Sequence, residues 1–371
     1  MKIGYDAKRA FHNKTGLGNY SRSLIDGMCH FHPENHYFLF NSKPSALYKA
    51  EGLHVLEVLP SNRLTQKFSS LWRSFSLNSL ACNYDLDIYH GLSHELPFGP
   101  KKGKTKWVLT VHDLIFIRYP QYFKPIDRTI YRYKIKKACR KADKIVAISE
   151  QTKRDLVDFL GVEAQKIEVI YQSCHPHFKL PVNTFKKEQV QKKYQLPPTY
   201  LLQVGTIETR KNLLLTIRAL EHIAAHIYLV VIGKATPYLQ LVQAEIAKRK
   251  LQKRVILLHS VPFDDLPTIY QLAHILVYPS RFEGFGIPII EALNSGVPVI
   301  AAKGSCLEEA GGPNSLYVDP DDDAALSSAI NRISKDKELR TSMIAQGKDY
   351  AQRFEPKNLA NDLFNFYKNI Q

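Results

Sequence analysis

The stretch that decides the fold runs from Tyr278 to Ile300 and reads YPSRFEGFGIPIIEALNSGVPVI. The apolar run His274–Tyr278 has the length and composition of a buried strand. After a short loop, Pro288 suits the first turn of a helix and Gly296 suits its end, and Val297–Ile300 resumes as a strand. Strand, loop, helix and strand in this order predict the unit of a parallel α/β sheet.

The loop between this strand and helix has the features of a ligand site. Ligands of parallel sheets bind at the carboxyl ends of the strands, where helix N-termini present N–H groups. Glu283 stands in the loop and Glu291 lies one turn into the helix, so one acid can hold sugar hydroxyls and the other ribose hydroxyls. The amides expected to meet a diphosphate are those of Gly284, Phe285, Gly286 and Ile287. A glycine-rich βα turn without any ligand has the same pattern, and these residues alone leave both readings open.

The composition is that of a globular protein with two domains. A chain of 371 residues is long for one core and sufficient for two domains of about 100–200 residues each. No run of about 20 apolar residues occurs, and the N-terminal MKIGYDAKRAF lacks the apolar segment of a signal peptide. The five cysteines show no CxxC spacing, which argues against a disulfide framework and a structural zinc site. We therefore expect a cytoplasmic protein.

Apolar runs alternate with helical segments along the chain. In the first half the predicted strands are Lys2–Asp6, Tyr37–Asn41, His54–Val58, Asp87–His90, Lys106–Val111, Lys144–Ser149 and Lys166–Tyr171. In the second half they are Tyr200–Val204, His226–Gly233, Arg254–His259, His274–Tyr278, Val297–Ala301 and Ser315–Val318. The composition changes after Phe178, where a stretch rich in Pro, Lys, Gln and Thr suits a linker. The pattern predicts two doubly wound domains, residues 1–180 and 181–355.

The segment EGFGIPIIE, Glu283–Glu291, resembles the Glu-x7-Glu motif of the retaining glycosyltransferases of family 4, and the surrounding PSRFEGFGIPIIEALNSGVPVIA is similar to that family almost throughout. The resemblance covers the whole chain, thinly through Asn41–Lys106 and densely through Gly205–Pro320. It implies an α/β protein of the GT-B fold, in which two Rossmann-like domains face each other across a cleft. It also implies that the last helix, within residues 356–371, packs back on the first domain.

The first loop of the second predicted sheet reads GTIETRKN, from Gly205 to Asn212. Two adjacent cations before a helix suit a diphosphate, Arg210 through bidentate contacts and Lys211 as a point charge, although two surface cations give the same pattern. The loop resembles the phosphate loop of family 4, with one departure, since many members have arginine where this chain has Thr206. Glycine and threonine followed by RKN is similar to a mannosyltransferase branch. The resemblance implies a nucleotide-diphosphate sugar as donor, with GDP-mannose favoured, and no further cofactor.

Three histidines follow strands of the first predicted sheet. His112 stands in VHDL, which is similar to the family motif whose histidine faces the donor sugar. His90 and His94, in YHGLSHELPF, lie four residues apart, but Gly91 and Pro97 argue against one helix face and a metal. We therefore expect His90 and His94 on the acceptor side. A histidine satisfied by local hydrogen bonds is the alternative for His112 when the resemblance is set aside.

The resemblance adds two further loops to the predicted site. Gly16 and Gly18 form a GxG turn that opens a helix after the first strand, a weak signal by itself. The matching glycine loop of the family lines the acceptor side of the cleft. The loop His259–Leu266, which includes Val261, corresponds to the family loop whose backbone touches the nucleobase. The residue types in this loop do not indicate which base it is.

Two acidic strings are weak candidates for a metal site. Asp85-Leu-Asp87 matches the DxD string of metal-dependent sugar transferases of another fold, but a three-residue string occurs often by chance. The run from Asp319 to Asp323 fits a turn and an acidic helix cap better. We therefore predict no metal.

The positive charge is concentrated in the first half. Residues 1–180 contain 28 Lys and Arg against 16 Asp and Glu, a net charge of +12, whereas residues 181–371 contain 23 against 19, a net charge of +4. Such a field attracts nucleic acid, anionic lipid or an anionic substrate. Arg63–Cys82 has helical spacing and places Trp72 and Phe75 among cations, and Asp127–Asp143 has a basic face. That face is formed by Arg128, Arg132, Lys136 and Arg140.

Basic amphipathic helices can lie on anionic membranes, although a solvated helix face has the same pattern. Peripheral membrane contact through the first domain is thus a hypothesis beside a soluble acceptor.

The resemblance to family 4 implies a retaining, metal-independent hexosyltransferase with Glu283 and His112 as its catalytic residues. It would transfer a sugar, with mannose favoured, to a glycan or lipid-linked glycan in cell-surface polysaccharide synthesis. The alternative within enzymes is a nucleotide-sugar epimerase built on the same two lobes. A basic nucleic-acid-binding protein is the non-enzymatic alternative, and the joint presence of Glu283, Glu291, Arg210 and Lys211 argues against it.

Overall fold

The structure is a computed structural model that describes residues 1–60 and 72–371. The chain divides into two compact units, Met1–Ser173 with Phe354–Gln371, and Cys174–Arg353. The boundary predicted at residue 180 lies later than the observed one, because Phe178 belongs to the second unit. Its ring is fully buried and packs on Tyr270 at a centroid distance of 5.2 Å.

The first unit is built on a parallel sheet with the strand order β3-β2-β1-β4-β5-β6-β7. The strands are β1 (Lys2–Asp6), β2 (His36–Phe40), β3 (Val55–Val58), β4 (Ile88–Gly91), β5 (Lys106–Val111), β6 (Lys144–Ala147) and β7 (Ile167–Val169). The α-helices described in this unit include α1 (Lys8–His12), α2 (Gly16–Phe31), α3 (Leu77–Asn83), α4 (Ile115–Arg118), α5 (Pro125–Lys141) and α6 (Glu150–Leu160). The last helix of the chain also belongs to this unit. The inner strands are buried on both faces, which explains why they form continuous apolar runs.

The second unit repeats this plan with the strand order β10-β9-β8-β11-β12-β13. Its strands are β8 (Tyr200–Val204), β9 (Tyr228–Ile232), β10 (Val255–Leu258), β11 (Ile275–Tyr278), β12 (Val299–Ala302) and β13 (Leu316–Val318). Its helices include α7 (Thr184–Lys193), α8 (Leu213–Ala219), α9 (Leu239–Lys248), α10 (Leu266–Leu272), α11 (Ile287–Asn294), α12 (Leu307–Gly311), α13 (Asp323–Lys335) and α14 (Lys337–Ala351). Every strand predicted from the sequence is present, and both sheets are doubly wound. The prediction of two Rossmann-like domains is confirmed.

The last helix, α15 (Pro356–Lys368), completes the core of the first unit. Its Tyr367 is fully buried, and the hydroxyl lies 2.6 Å from Nδ1 of His90. The other ring nitrogen of His90, Nε2, lies 2.8 Å from the Thr110 hydroxyl. His90 has no exposed surface, and burial lowers its pKa to about 3. The prediction that His90 lines the acceptor side is therefore wrong, because both of its nitrogens are used inside the core.

The two acidic strings have structural roles. Asp322 accepts the N–H of Ala325 at 2.7 Å and caps α13, as predicted. Asp87 accepts the N–H of Lys2 at 2.9 Å, and Asp85 lies 3.5 Å from the Lys104 amine. Both residues precede β4 and thus lie at the amino edge of the sheet, opposite the edge where ligands bind. Within residues 1–60 and 72–371, no three His, Cys, Asp or Glu side chains are grouped to hold a metal ion.

The two basic segments differ from their predicted arrangement. The N-terminal half of α5 exposes its apolar side chains, since Ile126, Ile130 and Tyr133 are 75%, 46% and 62% exposed. The first half of the Arg63–Cys82 segment and the side chain of Phe75 lie outside the described residues. Trp72 is buried in the first unit and is not available to a membrane, contrary to the prediction. In the described part of the chain, no helix has the length and hydropathy needed to cross a bilayer.

Replacing Tyr367 with Phe tests how the last helix is held. The change leaves the buried Nδ1 of His90 without its partner, so we expect the first unit to lose about 1–3 kcal/mol of stability. Trp72 and Trp107 are both in the first unit, so denaturation followed by tryptophan fluorescence reports on that unit. Tyr133→Phe, at an exposed hydroxyl on α5, is the matched control. Equal midpoints for the two variants would contradict the assigned role of Tyr367.

Candidate active site

The candidate site lies where the strand order of the second sheet changes direction. β8 is the first strand of this sheet and β11 is its neighbour on the other side from β9. The loops after these two strands diverge from a common edge, which is the usual ligand position in a doubly wound sheet. They are joined by a main-chain hydrogen bond of 2.9 Å from the N–H of Arg281 to the carbonyl of Arg210. The glycine and acidic segments predicted to bind ligand therefore meet.

The centre of the site is the carboxylate of Glu283 between two cations. Oε1 lies 2.6 Å from Nζ of Lys211 and accepts the Ser280 hydroxyl at 2.5 Å. Oε2 lies 2.8 Å from NH1 of Arg210. The Glu283 side chain is only 12% exposed, and those of Arg210 and Lys211 are 18% and 14% exposed. Three strongly hydrated groups are thus held together in a mostly dry position.

This pairing governs the ionisation of Glu283. Burial alone raises the pKa of the carboxyl group, but the charges of Lys211 and Arg210 and the hydrogen bonds from Lys211 and Ser280 outweigh it and lower the pKa to about 2. The carboxylate is consequently ionised at neutral pH.

The two cations have further contacts that fix their positions. Lys211 also donates to the Tyr278 hydroxyl at 2.6 Å. Arg210 donates to the Phe282 carbonyl at 2.6 Å and to Glu208 at 2.7 Å. These bonds hold both side chains in one conformation before any ligand arrives, so little ordering entropy remains to be lost on binding.

The main chain beyond Glu283 leads directly into helix α11. Gly286 is the N-cap residue, with φ of +152°, a backbone conformation that disfavours any residue with a Cβ. The buried thiol of Cys306 lies 3.0 Å from the carbonyl of Glu283 and 2.9 Å from that of Phe285. These contacts help to fix the backbone of the loop. The N-terminus of a helix favours an anion. The predicted phosphate role of residues 284–287 is thus compatible with their position.

Glu291 is held apart from the cations. It lies on the second turn of α11, and its Oε2 accepts the Tyr270 hydroxyl at 2.6 Å. Burial raises the pKa of Glu291 to about 7, against a smaller opposing effect of the Tyr270 hydrogen bond. A carboxyl group of this kind exchanges its proton near neutral pH, and hydroxyl groups of a ribose are suitable partners for its ionised form.

In the first unit, His112 and His94 are stacked at a centroid distance of 5.4 Å. His112 is 5% exposed; its Nε2 lies 2.9 Å from the Leu92 carbonyl, and its Nδ1 lies 3.2 Å from the Gln172 amide. The N–H of His112 donates to Nε2 of His94 at 2.8 Å. Burial lowers the pKa of both rings, to about 3 for His112 and about 4 for His94, so both are neutral. His94 must then carry its proton on Nδ1, which makes it a hydrogen-bond donor.

The other predicted site residues occupy loops at strand ends. Gly16 begins α2 with open space around it, whereas a Cβ on Gly18 would lie 1.8 Å from the Asn13 carbonyl oxygen. Gly18 therefore has a packing reason to be glycine. Val261 lies in the loop after β10, and Gly205 directly follows β8. The binding roles of Gly16, Gly18, Val261 and Gly205 stay predictions.

Comparisons with known proteins agree with this architecture. The family model described as Glycosyltransferase Family 4 matches residues 15–176, and the model of glycosyl transferases group 1 matches residues 185–350. The chain belongs to glycosyltransferase family 4. It is 30% identical over 76% of its length to O-antigen chain mannosyltransferase B of Escherichia coli, of which the match covers 74%.

It is also 31% identical over 68% of its length to O-antigen chain mannosyltransferase RfbU of Salmonella typhimurium, of which the match covers 66%. Among solved structures, the Anabaena protein HepE in complex with UDP and glucose aligns over all of both chains with a TM-score of 0.75 at 18% identity. This likeness confirms the GT-B fold.

The structure of this family 4 glycosyltransferase brings together most of the second-unit residues predicted from sequence. Glu283, Arg210 and Lys211 form one cluster beside the N-terminus of α11. The sequence did not indicate the supporting residues Ser280, Tyr278, Glu208, Cys306 and Tyr270. Ser280 and Tyr278 end β11 or follow it, so the rule that strand ends carry site residues could have found them. The contact of Tyr270 with Glu291 depends on helix packing, for which the sequence has no local signal.

Replacing Glu283 with Gln tests the pairing in this glycosyltransferase. The change keeps the shape but leaves Arg210 and Lys211 without their shared counter-charge, and breaking a buried ion pair typically costs about 3–5 kcal/mol. The pKa of the carboxyl group is about 2 in the folded state against 4.5 ordinarily, so its stabilisation is present above pH 4.5 and is lost as pH falls toward 2. Urea denaturation followed by circular dichroism at several pH values measures this difference.

Glu188→Gln, at an exposed position on α7, is the matched control and should have little effect. A Glu283→Gln variant as stable as the wild type at pH 7, or a stability difference that does not shrink between pH 5 and pH 2.5, would contradict the assigned pairing.

Proposed function

We propose that this glycosyltransferase transfers a hexosyl group, with mannose as the first candidate, from a nucleotide-diphosphate sugar to a glycan or lipid-linked glycan in cell-surface polysaccharide synthesis. Two relatives with about 30% identity are named O-antigen chain mannosyltransferases, which supports both the sugar and the class of acceptor. The base of the donor is open between guanine and uracil, since a structural relative holds UDP and glucose. The Gly-Thr start of the phosphate loop favours GDP-mannose.

The observation that carries the proposal is the position of Arg210 and Lys211 at the strand-order change, ordered by Glu283. A departing nucleoside diphosphate develops negative charge on its terminal phosphate, and pre-positioned donors in a mostly dry site stabilise such charge well. Arg210 offers two parallel N–H groups and Lys211 a single ammonium. The N–H groups at the start of α11 add a third source of positive potential.

In the proposed reaction the anomeric configuration is retained. The bond between the sugar C1 and the phosphate oxygen breaks, and a bond from C1 to the acceptor hydroxyl oxygen forms on the same face. The proton of that hydroxyl passes to the leaving diphosphate. Glu283 holds the cations in place and meets the donor sugar near C1, and Glu291 in its ionised form accepts hydrogen bonds from the ribose. In the first unit, the backbone N–H of His112 orients the ring of His94 so that its Nδ1–H can donate to the acceptor. The contact of His112 with the donor sugar that the resemblance implies stays a prediction.

The exposed side chains of α5 in the first unit support the hypothesis of peripheral binding to a membrane. Ile126, Ile130 and Tyr133 are spaced four and three residues apart, so they share one face of α5, and all three are largely exposed. Arg128 and Arg132 lie among them on the same helix. An exposed apolar stripe with neighbouring cations suits the interface of an anionic bilayer. We propose that α5 rests on the membrane that holds the acceptor.

The transfer reaction is tested with membranes from source cells that lack this protein, supplied with radiolabelled GDP-mannose or UDP-glucose. We expect label in a lipid-linked or polysaccharide fraction, with the one-bond C1–H1 coupling of the product reporting the same anomeric configuration as the donor. Glu283→Gln should lower the rate by about 100-fold or more, and Glu188→Gln should not. Turnover should survive EDTA, because Arg210 and Lys211 meet the leaving charge.

Conversion of the nucleotide sugar into an isomer without any transfer would instead establish the epimerase alternative. A product with inverted configuration, or a strict need for a divalent cation, would contradict the mechanism proposed above.

Membrane contact is tested by co-sedimentation with vesicles. We expect the protein to pellet with phosphatidylglycerol vesicles at low salt and less at high salt, because exposed charges are screened within about 8 Å at physiological ionic strength. Ile126→Ser/Ile130→Ser should reduce pelleting strongly. Phe185→Ser/Leu241→Ser removes two apolar side chains of the second unit that are 77% and 60% exposed, and it is the control. Equal pelleting with phosphatidylcholine vesicles, or no effect of the α5 substitutions, would contradict the proposal.

A further inference from the structure

A cavity lined by both charged and apolar side chains lies entirely within the first unit, at the carboxyl ends of β1 and β4. Its volume is about 340 Å³, and its wall includes Asp6, the last residue of β1, and Glu95, which follows β4. We call this cavity the basic pocket, because it is lined by six cations: Arg73, Lys101, Lys134, Lys137, Arg140 and Lys141. β1 and β4 are also the strands at which the order of the first sheet changes direction. The basic pocket therefore has the position expected of a ligand site.

Three of these cations are neutralised by acids. Arg73 lies 2.9 Å from a carboxylate oxygen of Asp6 and also pairs with Glu95. The amine of Lys134 lies 3.2 Å from Glu95. The amine of Lys101 pairs with Asp143. Three acids are thus matched to three cations, and the acids of the pocket wall are already occupied.

The other three cations have no acidic partner within residues 1–60 and 72–371. In the described part of the chain, Lys137, Arg140 and Lys141 form no salt bridge. Lys137 lies over the Phe98 ring at 4.4 Å, and Lys141 donates to the Pro97 carbonyl at 2.7 Å. Burial lowers the pKa of Lys141 to about 8, and the neighbouring charges of Lys101 and Lys137 make smaller contributions in the same direction. Positive charge is therefore in excess here, and a bound anion would relieve the repulsion among these side chains.

Part of the wall of the basic pocket is apolar. This apolar part is formed by Leu96, Pro97, Phe98 and Pro100, of which Leu96 is 8% exposed. A site with three unpaired cations and an apolar wall suits a ligand that joins a phosphate group to a hydrocarbon chain. Glu95 of the pocket directly follows His94, the residue assigned to the acceptor in this unit.

We propose that the basic pocket binds the phosphate or diphosphate group of a lipid-linked acceptor, with the start of the lipid chain against the apolar wall. This inference rests on the proposed function, since it names the chemical class of the acceptor. Lys137 and Arg140 reach the phosphate oxygens from the α5 side, and Lys141 holds the base of the pocket. The same helix that carries the exposed apolar stripe at its N-terminal half thereby carries the phosphate site at its C-terminal half.

The test uses farnesyl diphosphate, a short and soluble lipid diphosphate, with binding measured by calorimetry on the full chain. We expect Lys137→Gln/Arg140→Gln to weaken its binding by at least about tenfold, because charged contacts to phosphate dominate such sites. Both side chains are exposed, so this variant should fold normally. Lys357→Gln/Lys368→Gln removes the same charge from exposed positions on α15 and should change the affinity less than about twofold.

Comparison ligands identify the source of the phosphate. Farnesol and inorganic pyrophosphate should each bind at least about tenfold more weakly than farnesyl diphosphate, because each lacks one of the two groups that the pocket recognises. Pyrophosphate binding as tightly as farnesyl diphosphate would overturn the proposal in favour of a free-phosphate site. Phosphatidylglycerol vesicles that displace farnesyl diphosphate from the wild type at equal phosphate concentration would overturn it in favour of a membrane headgroup.

Nucleotide binding separates this proposal from the proposed function. GDP and UDP affinities should be the same in the wild type and in Lys137→Gln/Arg140→Gln, because the nucleotide residues lie in the second unit. Unchanged farnesyl diphosphate affinity in a variant that still binds nucleotide would overturn the pocket assignment alone. Pocket-dependent farnesyl diphosphate binding by a wild type that binds no nucleotide would instead support the pocket and refute the donor site.

Discussion

The burial of Glu283 between Arg210 and Lys211 is the constraint on which the rest of the second unit depends. Two cations cannot be taken out of water side by side unless an anion compensates them. Glu283 supplies that anion, and Ser280 and Tyr278 supply further hydrogen bonds. The strand order of the sheet places β8 beside β11, so residues 72 positions or more apart in the chain meet at one point.

The charges of Glu283, Arg210 and Lys211 also explain how the second unit can be arranged for a phosphate group before one is bound. In the absence of ligand, Glu283 neutralises the cations and fixes their geometry. When a diphosphate arrives, the cations can share their N–H groups with it, and no large reorganisation is needed. The basic pocket of the first unit is arranged differently, since Lys137, Arg140 and Lys141 form no salt bridge with any residue that the structure describes. Three of the cations that contribute to the excess of +12 in residues 1–180 thus lie together in one pocket.

The fold was predictable from sequence because parallel strands buried on both faces leave continuous apolar runs. The second-unit cluster was predictable because its residues occupy two short, contiguous loops. His90 and His94 show the limit of such reasoning. His90 lies within β4 and points into the core against Tyr367, whereas His94 lies beyond the strand with a φ of +61°. Four residues of sequence give no sign of this difference, because the partner of His90 is 277 positions away. Ile130 and Tyr133 have core-like spacing, and only the packing of α5 shows that they face outward.

The central claim is that Arg210 and Lys211 receive the terminal phosphate of the donor nucleotide. The most direct measurement is the ratio of affinities for a nucleoside diphosphate and the corresponding monophosphate, in the wild type and in Lys211→Met. If the cations contact the terminal phosphate, the wild type should prefer the diphosphate by about tenfold or more, since a charge-assisted hydrogen bond contributes about 1.5–3 kcal/mol. The preference should fall toward unity in Lys211→Met, while binding of the monophosphate stays nearly constant. An undiminished preference for the diphosphate in Lys211→Met would contradict the account.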